Sequence, residues 1–190
     1  KLIVCVNLLD EAEKKGISIN LKLLEKKLGV PVIGTIAKKK KTLNNLMKKV
    51  LDVCEGKISP IPNNVKYNDL IENCIKLLEP NIKDNLSPQN KYLSRWVSIK
   101  LLDNDKKIVD SIEKNLLSSY LTDTSLENNL NKCNNLLLET NFGKENFKDE
   151  IVSTILFKAE DVTSSVRTIK NCSYSKRDRK IDKILTSKIF

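Results

Sequence analysis

Two short patterns near the start of the chain have residue types suited to ligand chemistry: Asn7-Leu8-Leu9-Asp10 and Thr35-Ile36-Ala37. A carboxylate at Asp10 can accept two parallel hydrogen bonds, the geometry that fits the N1–H and exocyclic N2–H of guanine. Adenine lacks that donor pair, and a site built this way rejects it because the carboxylate would be left partly unpaired. Asn7 can bridge its own loop to neighbouring backbone and fix the carboxylate. The backbone N–H of Ala37 can meet guanine O6, with a small side chain that leaves the base room. A plainer reading stays open on pattern alone, since an Asn and an Asp after a strand are also ordinary turn formers. The Asn-x-x-Asp spacing recurs at Asn81/Asp84 and Asn146/Asp149, but neither copy follows a strand signal.

Both patterns need a frame to face one another. Leu2-Ile3-Val4-Cys5-Val6 precedes the first and Val30-Pro31-Val32-Ile33 the second, and both runs are short and β-branched, as buried strands are. Between them, Asn20 to Leu28 sets Leu21, Leu24 and Leu28 on one helical face, and Gly29 and Pro31 stop that helix. Strand, helix and strand at this spacing predict a crossover with two parallel strands. Ligands in such sheets sit outside the carboxyl ends of the strands, where both loops lie. The frame and the loops together match the base-specificity end of a Ras-like GTPase.

Neighbouring residues carry a family resemblance. Asn7-Leu-Leu-Asp10-Glu11-Ala12-Glu13-Lys14-Lys15-Gly16-Ile17 and Leu28-Gly29-Val30-Pro31-Val32-Ile33-Gly34-Thr35-Ile36-Ala37 closely resemble the ferrous iron transport protein B family. The likeness continues at Arg95-Trp96, at 100–105 and at 177–186. In that family the Lys of the usual Asn-Lys-x-Asp motif is commonly another residue, so Leu8 agrees with it. The resemblance implies guanine nucleotide binding, GTP or GDP, at Asn7, Asp10, Thr35, Ile36 and Ala37. It also implies coupling of GTP use, through a helical domain, to iron passage by a membrane permease domain at the cytoplasmic face of the membrane.

Composition narrows the alternatives. The 190 residues contain no histidine, which removes Ser-His and Cys-His catalysis and the commonest metal ligand. Five cysteines without a C-x-x-C suit free thiols. No apolar run reaches the roughly 18 residues of a membrane span. A formal charge of +10 raises a nucleic-acid reading, yet nearly all of it is Lys spread along every segment, with only Arg95, Arg167, Arg177 and Arg179 as arginines. A basic helical nucleic-acid binder and a purely structural interaction module are the rival readings, and nucleic acid is not the expected partner. No G-x-x-x-x-G-K-[ST] phosphate loop occurs in the chain, so no catalytic residue is assigned and no hydrolysis by this chain alone is expected. Mg²⁺ is expected only in a complete G domain, and no metal ligand is assigned.

The fold expected is mostly α: a partial Ras-like α/β segment (βαβα) followed by a small helical bundle. Residues 1–56 read as the C-terminal portion of a G domain, 57–66 as a linker rich in Pro and Asn, 67–169 as the helical domain and 170–190 as a juxtamembrane arm. Two strands cannot cover both faces of their own sheet, so the chain is expected to begin inside a domain and to self-associate through the open edge. Basic residues in the arm would meet anionic lipid headgroups. Local expectations are a helix capped by Thr42 with Leu43, Leu46, Met47, Val50 and Leu51 as its apolar face, a helix stopped at Pro80, Trp96 as a core anchor, and an Arg95–Asp105 pair.

Overall fold

The computed structural model describes residues 1–116, 124–140 and 144–170, so the arm beyond Lys170 lies outside the described residues. Two compact units emerge: Lys1–Asn64 together with the chain from Lys158, and Val65–Phe157.

In the first unit, β1 (Val4–Val6) and β3 (Val32–Gly34) pair in parallel, with Val4 opposite Val32 and Val6 opposite Gly34. Between them run α1 (Leu9–Lys14), β2 (Ile17–Ile19) and α2 (Leu21–Leu28). Asn20 caps α2, its Oδ1 accepting the Leu23 N–H at 3.0 Å. Gly29 ends it in the left-handed region at φ 70°. The segment after α3 (Lys40–Cys54) folds back on that end. Ile61 N–H donates to Gly29 O at 3.0 Å, and Asn63 Nδ2 donates to the Lys26 and Lys27 carbonyls, satisfying groups that a helix end leaves open. A Cβ on Gly29 would strike the Ile61 carbonyl.

Two features of this unit depart from the periodicity. α3 begins two residues before Thr42, whose hydroxyl is engaged with the preceding loop instead of capping the helix. Leu43, Met47 and Leu51 are exposed, and Val53 is the buried residue of α3. The second departure is β4 (Arg167–Ile169), which pairs antiparallel with β2, Ile17 opposite Ile169. Asn20 N–H to Val166 O and Lys170 N–H to Gly16 O, both 2.8 Å, extend the pairing at its two ends.

The second unit is helical: α4 (Asp69–Asn85), a 3-10 turn (Lys91–Leu93), α5 (Ser94–Asp103), α6 (Lys106–Asn115), α7 (Thr124–Glu139) and the start of α8 (Lys144–Val166). Its core is a single cluster that includes Ile71, Ile75, Leu78, Ile82, Val97, Leu101, Ile112, Leu126 and Phe147. α4 runs five residues beyond Pro80 where a stop was expected. An interior proline costs about 3 kcal/mol. Leu78 and Ile82 flank it, both fully buried, and each contributes about 1.5–3 kcal/mol, so burial wins. Trp96 is not a core anchor: it is 44% exposed, because Ser94, Val97, Ser98 and Leu101 occupy the inward stripe of α5.

Arg95 pairs with Glu72, not Asp105, which instead caps α6. The guanidinium donates to both Glu72 carboxylate oxygens, at 2.6 and 2.9 Å, and to Val65 O at 2.7 Å. It also lies 5.6 Å from the centre of the Tyr67 ring. The guanidinium bonds hold the Glu72 carboxyl below its ordinary pKa against the opposing effect of burial. Charge divides between the units as well. Residues 65–157 carry twelve Lys and Arg against fourteen Asp and Glu, while the rest of the chain carries twenty-two against ten. Net positive charge is thus concentrated outside residues 65–157.

Candidate nucleotide-binding site

The two loops singled out by their residue types meet at the carboxyl ends of β1 and β3. Thr35 joins them. Its N–H donates to Val6 O at 2.8 Å, its carbonyl receives the Leu9 N–H at 3.4 Å, and its hydroxyl donates to Asn7 Oδ1 at 3.0 Å. With 2% exposure and every polar group engaged, Thr35 positions the site and has no polar group left for a ligand. Gly34, just before it, lies against the side chains of Leu9 and Leu21, and a Cβ there would overlap both. That close approach keeps α1 and its Asp10 against the β3 loop.

Each of the other expected residues occupies a definite state. The Ile36 N–H donates to the Thr42 hydroxyl at 3.1 Å, and the Ile36 carbonyl lies 2.9 Å from the same hydroxyl. Its backbone is thus committed to holding the loop. Ala37 is exposed, and its N–H has no hydrogen-bond partner among the described residues. The Asn7 amide gives its oxygen to Thr35, which leaves Nδ2 without a protein partner among the described residues. Asp10 lies in the first turn of α1, where a carboxylate is favoured by the helix dipole. Its Oδ1 is buried and makes no hydrogen bond. An unpaired buried carboxylate oxygen is costly, and a donor-rich ligand would relieve that cost. The open groups are therefore one carboxylate acceptor, one amide donor and one backbone N–H. That set is complementary to guanine, which presents adjacent N–H donors beside acceptors.

Two residues that sequence reading missed complete the loop. Thr42 has the position of a helix cap, and its use by Ile36 leaves no signal in spacing. Cys5, on β1, approaches the Thr35 hydroxyl at 3.2 Å.

Leu8 is the strained point. It precedes α1 in the left-handed region, φ 59° and ψ 35°, without a side-chain cap, and is 58% exposed. A non-glycine residue pays about 1–2 kcal/mol there, and asparagine adopts that conformation more readily. Leu8→Asn is therefore expected to stabilise the first unit by about 1 kcal/mol, read as a higher urea midpoint. A midpoint at or below that of the wild type would show that the turn is not strained.

Known proteins agree on the kind of chain this is. A family model described as ferrous iron transport protein B matches residues 1–50, and one described as the FeoB cytosolic helical domain matches residues 67–168. The Fe(2+) transporter FeoB of Staphylococcus aureus is 26% identical over 183 residues, 96% of this chain but 26% of that relative. Among solved structures, a GDP-bound mutant of the S. thermophilus FeoB G-domain is similar with a TM-score of 0.63 and 20% identity. It is covered over 58% of its length by 87% of this chain. The cytosolic domain of the T. maritima FeoB iron transporter in its GMPPNP form gives 0.60 and 20%, with coverages of 88% of this chain and 57% of that one. The chain thus spans about a quarter of the curated relative it matches along most of its own length.

Proposed function

Because this chain belongs to the ferrous iron transport protein B family, we propose that it carries the guanine-recognising end of a GTP-binding domain within a GTP-dependent ferrous iron transporter. Residues 1–56 belong to that G domain in this reading, 57–66 link it onward, 67–169 form the helical coupling domain and 170–190 the arm toward the permease. Asn7, Asp10, Thr35, Ile36 and Ala37 make up the site for GTP or GDP. Thr35 and Ile36 hold the loops, while Asp10, Ala37 and Asn7 touch the base. Two of the solved relatives are bound to GDP or to GMPPNP, which supports this ligand class.

The observation that carries the reading is the buried, unpaired Asp10 Oδ1, held beside a loop whose open backbone donor is Ala37 N–H. A carboxylate oxygen held out of water without a hydrogen bond is costly, and a ligand that donates to it relieves that cost. Phosphoryl transfer also needs a phosphate cradle, Mg²⁺ and an oriented water. No residue of this chain is assigned to Mg²⁺ or to iron: among the described residues no three Cys, Asp or Glu side chains converge. In this reading the chain contributes base recognition, and no hydrolytic residue is assigned to it. No described helix is long and apolar enough to cross a membrane.

The test is an NMR titration of the ¹⁵N-labelled chain with GMP and with AMP. Shifts at Leu9, Asp10 and Ala37 are expected for GMP, with Kd on the order of 1 mM, and are expected to vanish in Asp10→Ala. Equal responses to AMP, or none to GMP, would overturn the assignment.

A further inference from the structure

We propose that Cys74 and Cys133 form an oxidative modification site in the core of the helical unit, a thiol pair that hydrogen peroxide converts into a disulfide joining α4 to α7. The site is separate from the nucleotide loops and does not depend on how they are read.

The packing of the two helices brings the thiols face to face. Cys74 lies on the inward stripe of α4 with Ile71, Ile75 and Leu78, and Cys133 on that of α7 with Leu126 and Leu137. Two side-chain contacts fix the register between these helices. Asn81 Nδ2 donates to Ser125 Oγ, and Asn129 Nδ2 donates to Asn81 Oδ1, both at 3.0 Å. Two turns back along α4 from Asn81 stands Cys74, and about two turns forward along α7 from Ser125 stands Cys133, as antiparallel helices require. The Cys133 sulfur is 3.8 Å from the Cys74 carbonyl oxygen, and the two thiols are within hydrogen-bond range of each other. Both are closed to solvent, whereas Cys5 and Cys54 are exposed.

The contact sets the chemistry. With Cys74 protonated, the Cys133 hydrogen points to the Cys74 carbonyl. Once Cys74 loses its proton, the same hydrogen can turn to the sulfur, and that bond holds the Cys74 thiol below its ordinary pKa against the opposing effect of burial. The bond to Cys74, and burial after it, push the Cys133 thiol up. Cys74 is thus the nucleophile and Cys133 the resolving thiol. The Cys74 thiolate attacks one peroxide oxygen, the O–O bond breaks, and hydroxide leaves and takes up a proton as water. The Cys133 sulfur then displaces the hydroxyl of the Cys74 sulfenic acid. The S–S bond forms, the S–O bond breaks, and the Cys133 proton departs in a second water. Two thiols lose two electrons, and one peroxide becomes two waters. A pair closed to solvent admits a small uncharged oxidant of this kind through local opening of the core. The new bond closes a loop that holds α5 and α6, and a cross-link of that span restricts the unfolded chain.

The test uses the full 190-residue chain with its other cysteines replaced, Cys5→Ser, Cys54→Ser and Cys172→Ser, so that one intramolecular pairing remains. After hydrogen peroxide in native buffer, then unfolding and alkylation, mass spectrometry should find the Cys74 and Cys133 peptides joined, lighter by two hydrogens, and separate again after reduction. The urea midpoint, followed by Trp96 fluorescence, should rise by about 1 M or more on oxidation and return on reduction. The wild-type chain treated alike should show the same pairing as its main product. Thiols that stay open to alkylation, or that oxidise past sulfenic acid without a joined peptide, would overturn the inference. So would a wild-type chain that pairs either residue with Cys5 or Cys54 instead. A disulfide that leaves the urea midpoint unchanged or lowers it would do the same, since the bond would then not fit the folded core.

Discussion

Asp10→Asn, in a chimera that joins residues 1–56 to the phosphate-binding half of a related G domain, is expected to lower GTP affinity by about 100-fold or more. The same change should raise affinity for xanthosine triphosphate. Guanine offers N1–H and N2–H to a carboxylate, whereas xanthine has an acceptor where guanine has its N2 donor, and an amide can answer one of each. The magnitude follows from the burial of Oδ1: its counterpart in the variant sits in the same dry position, where a mismatched pair cannot be rescued by water. Titration calorimetry with both nucleotides measures the exchange. Equal GTP affinity in the variant would remove Asp10 from the site.

The second large effect is expected in the helical unit, at Glu72. Glu72→Gln takes the counter-charge from a partly buried Arg95 guanidinium that keeps only its bond to Val65 O and an amide acceptor, a loss of about 1.5–3 kcal/mol. A typical domain has about 5–15 kcal/mol in all, so the variant should unfold at much lower urea. The pair also sets a pH dependence with a definite sign. Glu72 has its folded pKa depressed below 4.5, first through the Arg95 hydrogen bonds. Its contribution is present above the unfolded value and is lost as pH falls through the folded one. Arg95 is raised still further above its already high ordinary value by the same bonds, which moves nothing in the usual range. Acid unfolding of wild type should therefore steepen below about pH 4.5, and Glu72→Gln should flatten that limb. Trp96, the only tryptophan, lies on α5 next to Arg95 and reports the transition by fluorescence. A variant within about 1 kcal/mol of wild type, the range of an exposed pair, would show the bridge to be marginal.

The contrast between these two sites shows what a sequence exposes. The base loops are legible because their chemistry is local: Asn7 and Asp10 follow a β-branched run, and Asn20 and Gly29 bracket a helix of obvious period. The Arg95–Glu72 bridge is not, because 23 residues separate the partners and α4 and α5 must pack before they meet. Large aromatics usually anchor cores, but Trp96 does not, since serines fill part of the inward stripe of α5. Thr42 misleads for a related reason: a hydroxyl at the start of a helix looks like a cap whether it faces its own helix or the loop before it. In α3 the period correctly finds an apolar face but cannot tell that Leu43, Met47 and Leu51 lack a covering layer among the described residues.

The pairing of β2 with β4 has a consequence for how the protein is made. β2 ends at Ile19, and its partner strand begins at Arg167. Chains leave the ribosome at about 5–20 residues per second, so the roughly 150 residues between the strands take on the order of ten seconds to appear. During that interval the helical unit can emerge and close its core, while β2 waits without its partner strand. The later closure costs only modest extra entropy, since that cost grows as the logarithm of loop length. The strand that emerges before the helical unit is thus completed after it.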